Sequence, residues 1–350
     1  MMQLQQRINA FVQLGMFLSQ FAEETPLKNP SVLYNDVFFA EMQDVLQLAK
    51  IKNMWFTVDN LQYTCKNWGN ALSVSNIENW LSVYKISEIP SEKRVAIVMA
   101  GNIPLVGFHD FMCVLLSGYS VLGKLSSNDT ILLPFLTKYL MTVEPLFESK
   151  IELTTEKLED FDAVIATGSD NTALYFKHYF GKYPNIIRKN RNSIAIITGK
   201  ETPQQMEALA DDIFRYFGLG CRNVSKIYVP KDYKWDHFFN GMFAWKDVIN
   251  NHKYINNYDY NKAVYLMSLV KLLDNEFMIL KEDTGFSSPI SVVFYETYSN
   301  LNELTKTLNS VTEKIQCIIS QKHIPFGDAQ EPNLSDYADG VDTMEFLLSL

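Results

Sequence analysis

Arg94-Val-Ala-Ile-Val-Met-Ala-Gly-Asn-Ile-Pro104 decides the reading of the chain. Its first seven residues form a short β-type run, and the run stops at Gly101. A helical stretch is predicted next, over about 105–116. The same alternation repeats outward. Tyr119-Ser-Val-Leu-Gly-Lys124 reads as a second strand, and Asn128-Asp-Thr130 offers a cap for a helix running to about Met141. Phe161-Asp-Ala-Val-Ile-Ala166 is a third strand; it ends in Thr167-Gly168-Ser169, and Asp170 and Asn171 open another helix. Ser193-Ile-Ala-Ile-Ile197 is a fourth. Thr202-Pro203 with Gln205 reads as a capping box with proline at the first helical position. Strands alternating with helices predict an α/β fold with mostly parallel sheets covered on both faces.

Past Gly220-Cys221 the alternation continues. Strands are predicted at 225–229, 277–280, 290–294 and 317–319, and helices at 235–248, 261–272 and 301–308. Upstream, Leu4, Ile8, Phe11, Val12 and Gly15 recur at helical spacing, as do apolar residues over 37–49 and 77–83. The first ninety residues therefore read as helical, with Trp55, Trp68 and Trp80 either as packing residues or as contacts to a long substrate or a partner. The expected division is a helical N-terminal segment plus a first α/β domain over 1–200, joined by the tail 324–350, and a second α/β domain over 201–323.

Bulk properties narrow the function. The chain has 350 residues, 47% of them apolar and 20% charged, with a net charge of −9. Nucleic-acid binding is disfavoured, because phosphate neutralisation needs clustered Lys and Arg. The four cysteines form no CxxC pair and the five histidines no HExxH cluster, so no metal site is predicted. Few cysteines in a chain this long fit a reducing compartment. The start Met-Met-Gln-Leu-Gln-Gln-Arg-Ile lacks the features of a signal peptide. The most apolar stretch, 95–125, is interrupted by His109, Asp110 and glycines, so no membrane span is predicted and a cytoplasmic location is expected.

Ligands of α/β proteins bind where strands end. Four such ends carry small polar clusters: Gly101-Asn102-Ile103-Pro104, Lys124-Leu125-Ser126-Ser127, Thr167-Gly168-Ser169 and Gly218-Leu219-Gly220-Cys221-Arg222-Asn223. Cys221 is the sharpest candidate. Gly218 and Gly220 let a backbone approach closely, and the neighbouring Arg222 favours a thiolate. The alternative is an inert buried thiol, which is the reading for Cys65, Cys113 and Cys317. Asn102 is either a turn-former or a donor to a developing oxyanion. Lys124 either binds cofactor hydroxyls and phosphates or is solvated. Thr167, Gly168 and Ser169 suit phosphate at a helix N-terminus or plain capping. No GxGxxG is present.

In order and spacing, these motifs resemble the aldehyde dehydrogenase superfamily, and within it the LuxC-like branch of fatty acyl-CoA reductases. Gly101-Asn102-Ile103-Pro104 is similar to the family's Asn-Phe-Pro segment, whose Asn helps form the oxyanion hole. Ser120-Val-Leu-Gly-Lys124 is similar to the strand ending in the cofactor-ribose Lys, and Ala166-Thr167-Gly168-Ser169 to the turn at the cofactor phosphates. Gly218-Leu-Gly-Cys221 resembles the nucleophile segment. Pro325-Phe326-Gly327 and the later Leu334-Ser-Asp-Tyr-Ala-Asp-Gly-Val-Asp342 resemble the C-terminal signature of the LuxC-like branch. The resemblance implies a nucleotide-binding domain over 1–200, a catalytic domain over 201–323, and Cys221 and Asn102 as catalytic residues. It implies Lys124, Ser126, Ser127, Thr167, Gly168 and Ser169 as cofactor-binding residues.

Two departures bear on the reaction. Where hydrolytic relatives carry a Glu base, alignment of Arg188-Lys-Asn-Arg-Asn-Ser193 places Arg188, which favours acyl transfer and reduction over hydrolysis. Where NAD-preferring relatives hold a 2′-hydroxyl with Glu, Ser127 stands, which points to NADPH with NADH as the alternative. The resemblance thus implies NADPH-dependent reduction of an acyl thioester to aldehyde through an acyl-cysteine. Rival readings are an acyl-phosphate reductase and a catalytically silent acyl-carrier-binding subunit. Implied partners are an acyl-CoA or acyl-carrier substrate, an acyltransferase or acyl-activating protein, and further copies of the chain in a homo-oligomer.

Overall fold

The computed structural model describes residues 2–87 and 91–350, so residues 88–90 of the expected helical segment lie outside the described residues. The chain forms two compact units, residues 1–189 with 333–350, and residues 190–332.

The first unit begins with four helices, α1 (Leu4–Ser19), α2 (Asn35–Lys52), α3 (Val58–Ala71) and α4 (Val74–Leu81). The side chains of Thr57 and Ser73 cap α3 and α4. Helix α1 buries Phe11, Leu14, Phe17 and Leu18. Its Arg7 is fully buried, and the guanidinium donates to the carbonyls of Leu116 (2.6 Å) and Ser87 (3.1 Å). Trp80 is buried, while Trp55 and Trp68 are partly buried against the same core.

The sheet of this unit holds β1 (Arg94–Val98), β2 (Ser120–Lys124), β3 (Ile151–Thr154), β4 (Ala163–Thr167) and β5 (Asn185–Arg188). They are hydrogen-bonded in the order β3-β2-β1-β4-β5, every pair parallel. The connecting helices are α5 (Phe108–Leu116), α6 (Leu132–Val143) and α7 (Asp170–Phe180). The central strands β1 and β4 bury three and four of their five residues, as expected of a parallel sheet covered on both faces. A short final helix, Thr343–Leu348, packs on α5.

The second unit has β6 (Asn192–Ile196), α8 (Pro203–Phe214), β7 (Val224–Pro230), α9 (Trp235–Met242) and α10 (His252–Met267). It continues with β8 (Leu272–Asp274), β9 (Ile279–Glu282), β10 (Val292–Tyr298), α11 (Leu301–Asn309) and β11 (Ile315–Ile319). Its six-stranded sheet runs β11-β6-β7-β10-β9-β8, and only β8 against β9 is antiparallel. The Thr202/Gln205 capping box with Pro203 opens α8.

Two expected boundaries move. The first division falls after Lys189 rather than 200, because β6 pairs with β7 and β11. The second falls after Pro332 rather than 323, because the backbone at Gly327 and Ala329 is bonded to Asp212 of α8. The helix expected over 261–272 instead spans 252–267. Asn251 caps its start by accepting from Lys253 and Tyr254 N–H, and the chain turns out of it at Leu269, whose φ is 57°.

Candidate active site

Three of the clusters singled out in the sequence lie at one edge of the first unit's sheet. The loops after β2, β1 and β4 leave neighbouring parallel strands at their C-terminal ends. The strand order reverses between β1 and β4, and that switch point is where open α/β sheets bind ligands.

The loops are held against each other. Met99 N–H donates to the Lys124 carbonyl at 3.1 Å. A Cβ on Gly101 would stand 2.5 Å from Ser126 Oγ, so the Asn102 loop passes this turn only with glycine there. Asp129 joins the same loop to the start of α6, accepting from Leu105 N–H (3.3 Å) through one oxygen and Leu132 N–H (3.4 Å) through the other. Asn102 is half-buried on this loop, as is Lys124 at the end of β2. Ser126 Oγ accepts from Asn128 N–H at 3.3 Å, and Ser127 is exposed. Thr167 and Gly168 are half-buried. The Ser169 hydroxyl caps α7, accepting from Thr172 N–H at 3.2 Å, so its side chain serves the helix.

A cleft of about 740 Å³ reaches from Val98 and Lys124 along Phe161, Phe176 and Phe180, and of the residues in the three clusters only Lys124 lines it. The size lies in the usual range for small-molecule and cofactor sites. Flat aromatic walls suit a purine ring, and Lys124 with the start of α7 suits phosphate and ribose oxygens. These residues fit a dinucleotide. Sequence reasoning missed the aromatic walls, although Phe176 and Phe180, one helical turn apart after the Thr-Gly-Ser turn, were the available signal.

The fourth cluster belongs to the second unit. All four cysteines lie among the described residues, and of these Cys221 is exposed while Cys65, Cys113 and Cys317 are buried. Burial pushes the Cys65 thiol up to about 12 and the Cys113 thiol well above its ordinary range. Those thiols stay protonated and unreactive, since the thiolate is the nucleophile. The Cys221 carbonyl accepts from Ser193 Oγ at 2.9 Å. Arg222 directs its Nε at the Ala329 carbonyl. A small pocket of about 30 Å³ adjoins Gly218, walled by Phe214, Phe217, Tyr254, Met278 and Ile290. No charged side chain lines it among the described residues.

Arg188 ends β5, where it forms a 2.5 Å ion pair with Asp110 of α5. It also donates to Thr343 Oγ1 at 3.0 Å, and that hydroxyl donates on to Asp110 at 3.3 Å. Burial opposes the guanidinium charge, but the Asp110 carboxylate outweighs it and holds the group further into its charged range. The position matched to a general base therefore carries a buried structural cation. Beside it, His109 Nε2 faces the Leu334 carbonyl at 2.9 Å and must be the protonated nitrogen, which leaves Nδ1 to accept from the Cys113 thiol at 3.8 Å. Burial holds this imidazole below its ordinary pKa.

No group of three or more His, Cys, Asp or Glu that could hold a metal ion occurs among the described residues. Among them no helix is long and apolar enough to cross a membrane.

Residues 84–238 match the family described as acyl-CoA reductase (LuxC). No curated protein matches the chain. Solved structures do. Aldehyde dehydrogenase 21 from Physcomitrella patens, in complex with the reaction product succinate, is 15% identical with a TM-score of 0.60, over 96% of this chain and 82% of its own. An indole-3-acetaldehyde dehydrogenase complexed with NAD+ is 14% identical with a TM-score of 0.61, over 90% of this chain and 75% of its own. The aldehyde dehydrogenase KauB from Pseudomonas aeruginosa is 12% identical with a TM-score of 0.61, over 90% and 75%. These likenesses establish the aldehyde dehydrogenase fold. The match over 84–238 adds to that fold a likeness to the acyl-CoA reductase (LuxC) family over less than half of the chain.

Proposed function

We propose that the protein reduces an acyl thioester, a fatty acyl-CoA or its carrier-bound equivalent, to the aldehyde with NADPH. The observation that carries this is the exposed thiol of Cys221 on a loop whose backbone is tied down, in a chain whose other thiols are buried. The Cys221 thiolate attacks the acyl carbonyl carbon. The bond from that carbon to the carrier sulfur breaks, the carrier leaves as its thiolate and takes a proton from water, and the acyl group stays on Cys221. Asn102 takes the role of donor to the oxyanion that forms during attack. The nicotinamide nucleotide, when bound, supplies the hydride that takes the acyl group to the aldehyde level. Release of the aldehyde restores the Cys221 thiolate. Arg188 provides no base for water, so the acyl-cysteine is kept for reduction or for transfer to a thiol.

Lys124 and the start of α7 would hold the ribose and phosphates, and Phe161, Phe176 and Phe180 the adenine. Two further lysines, Lys157 and Lys182, line this cleft with Glu159 and Asp160. That lining of three cations against two acids, with Ser127 in place of a carboxylate, supports NADPH over NADH. The test is NADPH oxidation with acyl-CoAs of increasing chain length, beside a Cys221→Ala control. Oxidation that needs both an acyl-CoA and Cys221 is expected. Turnover that survives Cys221→Ala would sink the proposal.

A further inference from the structure

The segment that carries Cys221 is held by hydrogen bonds on both sides of the cysteine. After α8 the chain passes through three successive left-handed residues, Tyr216 (φ 54°), Phe217 (φ 59°) and Gly218 (φ 74°). Two of these are bulky side chains in a backbone region they rarely adopt, so the surroundings must hold them there. Asn223 does much of this. It is 2% exposed, and its amide nitrogen donates to the carbonyls of Asp212 (3.1 Å) and Arg215 (2.8 Å). Its Oδ1 accepts from Gly220 N–H at 2.8 Å. One side chain thus closes the C-terminal end of α8 onto the residue before the thiol.

The residue after the thiol is held from the other side. Arg222 Nε donates to the Ala329 carbonyl. The backbone at Ala329 is set by Asp212 of α8, whose two carboxylate oxygens accept from Gly327 N–H (2.8 Å) and Ala329 N–H (3.0 Å). Gly327 stands at φ 95°, and a Cβ there would meet Ala208 Cβ at 3.0 Å, so this turn lies directly on α8. Asp212 is fully buried. Ser193 on β6 completes the frame at the Cys221 carbonyl.

We propose that Asp212 and Asn223 are positioning residues that fix the Cys221 thiol from its two flanks, Asn223 through Gly220 and Asp212 through Ala329 and Arg222. The inference rests on the proposal that Cys221 is the nucleophile. A fixed thiol reacts faster because the loop need not be ordered at the moment of attack, and a displacement of 1 Å costs on the order of 100-fold.

The test uses the full chain with Asp212→Asn and Asn223→Asp. Each keeps its side-chain shape. The first loses one of two acceptors, and the second keeps the acceptor for Gly220 while losing both donors. Two readouts are taken: kcat and KM for acyl-CoA reduction, and the rate of iodoacetamide alkylation of Cys221 against pH, resolved by peptide mass spectrometry. Both variants should lower kcat by about 10–100-fold with KM little changed, and should slow or shift the alkylation profile. Arg222→Lys, which retains a donor for Ala329, should recover more activity than Arg222→Met. A variant that merely loses stability would instead keep the parent's kcat per reactive thiol and its alkylation profile; that outcome overturns the proposal. If Cys221→Ala keeps turnover, the nucleophile assignment itself fails. If Cys221→Ala is inactive and both isosteric variants match the parent in both readouts, only the positioning role fails.

Discussion

Replacing Arg188 by Met should destabilise the first unit without touching the chemistry. The substitution removes one partner of the 2.5 Å pair with Asp110, at a depth where the two side chains are 3% and 10% exposed. Losing one partner of a buried pair costs about 3–5 kcal/mol, mostly because the other charge is left without compensation. Asp110 keeps its contact from Thr343 Oγ1, which sets the expected loss near the lower end, about 3 kcal/mol. With a urea dependence of about 2–3 kcal/mol per molar, the unfolding midpoint falls by about 1–1.5 M. Tryptophan emission would follow it, with Trp235 and Trp245 of the second unit replaced by Phe so that Trp55, Trp68 and Trp80 report. The double variant Asp110→Leu with Arg188→Met should return to within about 1 kcal/mol of the parent, since a matched apolar pair replaces a buried ionic one at little cost. An unchanged midpoint for Arg188→Met together with lost turnover would refute the reasoning and put Arg188 in the reaction.

Iodoacetamide on the native chain should label Cys221 first, because the other three thiols are buried; earlier labelling of Cys65, Cys113 or Cys317 in peptide maps would contradict their packing. Asn102→Ala should lower kcat by about 10²–10³-fold with the substrate KM nearly constant, and a loss confined to KM would remove Asn102 from the oxyanion role. Burial, with Asp211 and Asp328 adding to it, pushes the Asp212 carboxyl up to about 7 from its ordinary 3.8 against the pull of its two backbone donors. The folded chain then keeps a proton that the unfolded chain has lost. This contribution is full below about 3.8 and disappears as pH rises through about 7. Second-unit stability should fall over that window, by at most about 4 kcal/mol, and Asp212→Asn should flatten the fall. Urea midpoints across pH decide it, and parallel slopes in the two proteins would count against the assignment.

The central strands were legible in the sequence because β1, β2 and β4 are apolar runs that stop at glycine or at small polar residues. Their end clusters could therefore be placed from the sequence alone. The edge strands β3 and β5 were not, since Ile151–Thr154 and Asn185–Arg188 are four residues long and mix polar with apolar side chains. Helix α10 was misplaced because its face is broken by Asn and Tyr, while the apolar residues near Leu269 and Leu272 belong to a turn and an edge strand. Cys221 stood out locally, but its holders did not. Asp212 reads in sequence as one of two adjacent acids on a helix, and its partners lie 115 and 117 residues away. The Asp110–Arg188 pair spans 78 residues and likewise has no local signature.

The late arrival of Thr343 at the Arg188–Asp110 pair has a consequence for biosynthesis. The hydroxyl is 155 residues downstream of Arg188, so a ribosome working at about 5–20 residues per second delivers it roughly 8–30 s later. During that interval the second unit emerges whole, while the first waits with part of its surface uncovered on α5, where the Thr343–Leu348 helix will pack. The nascent chain thus finishes its middle before its beginning. The uncovered face of α5 is the surface that a chaperone would have to shield during synthesis.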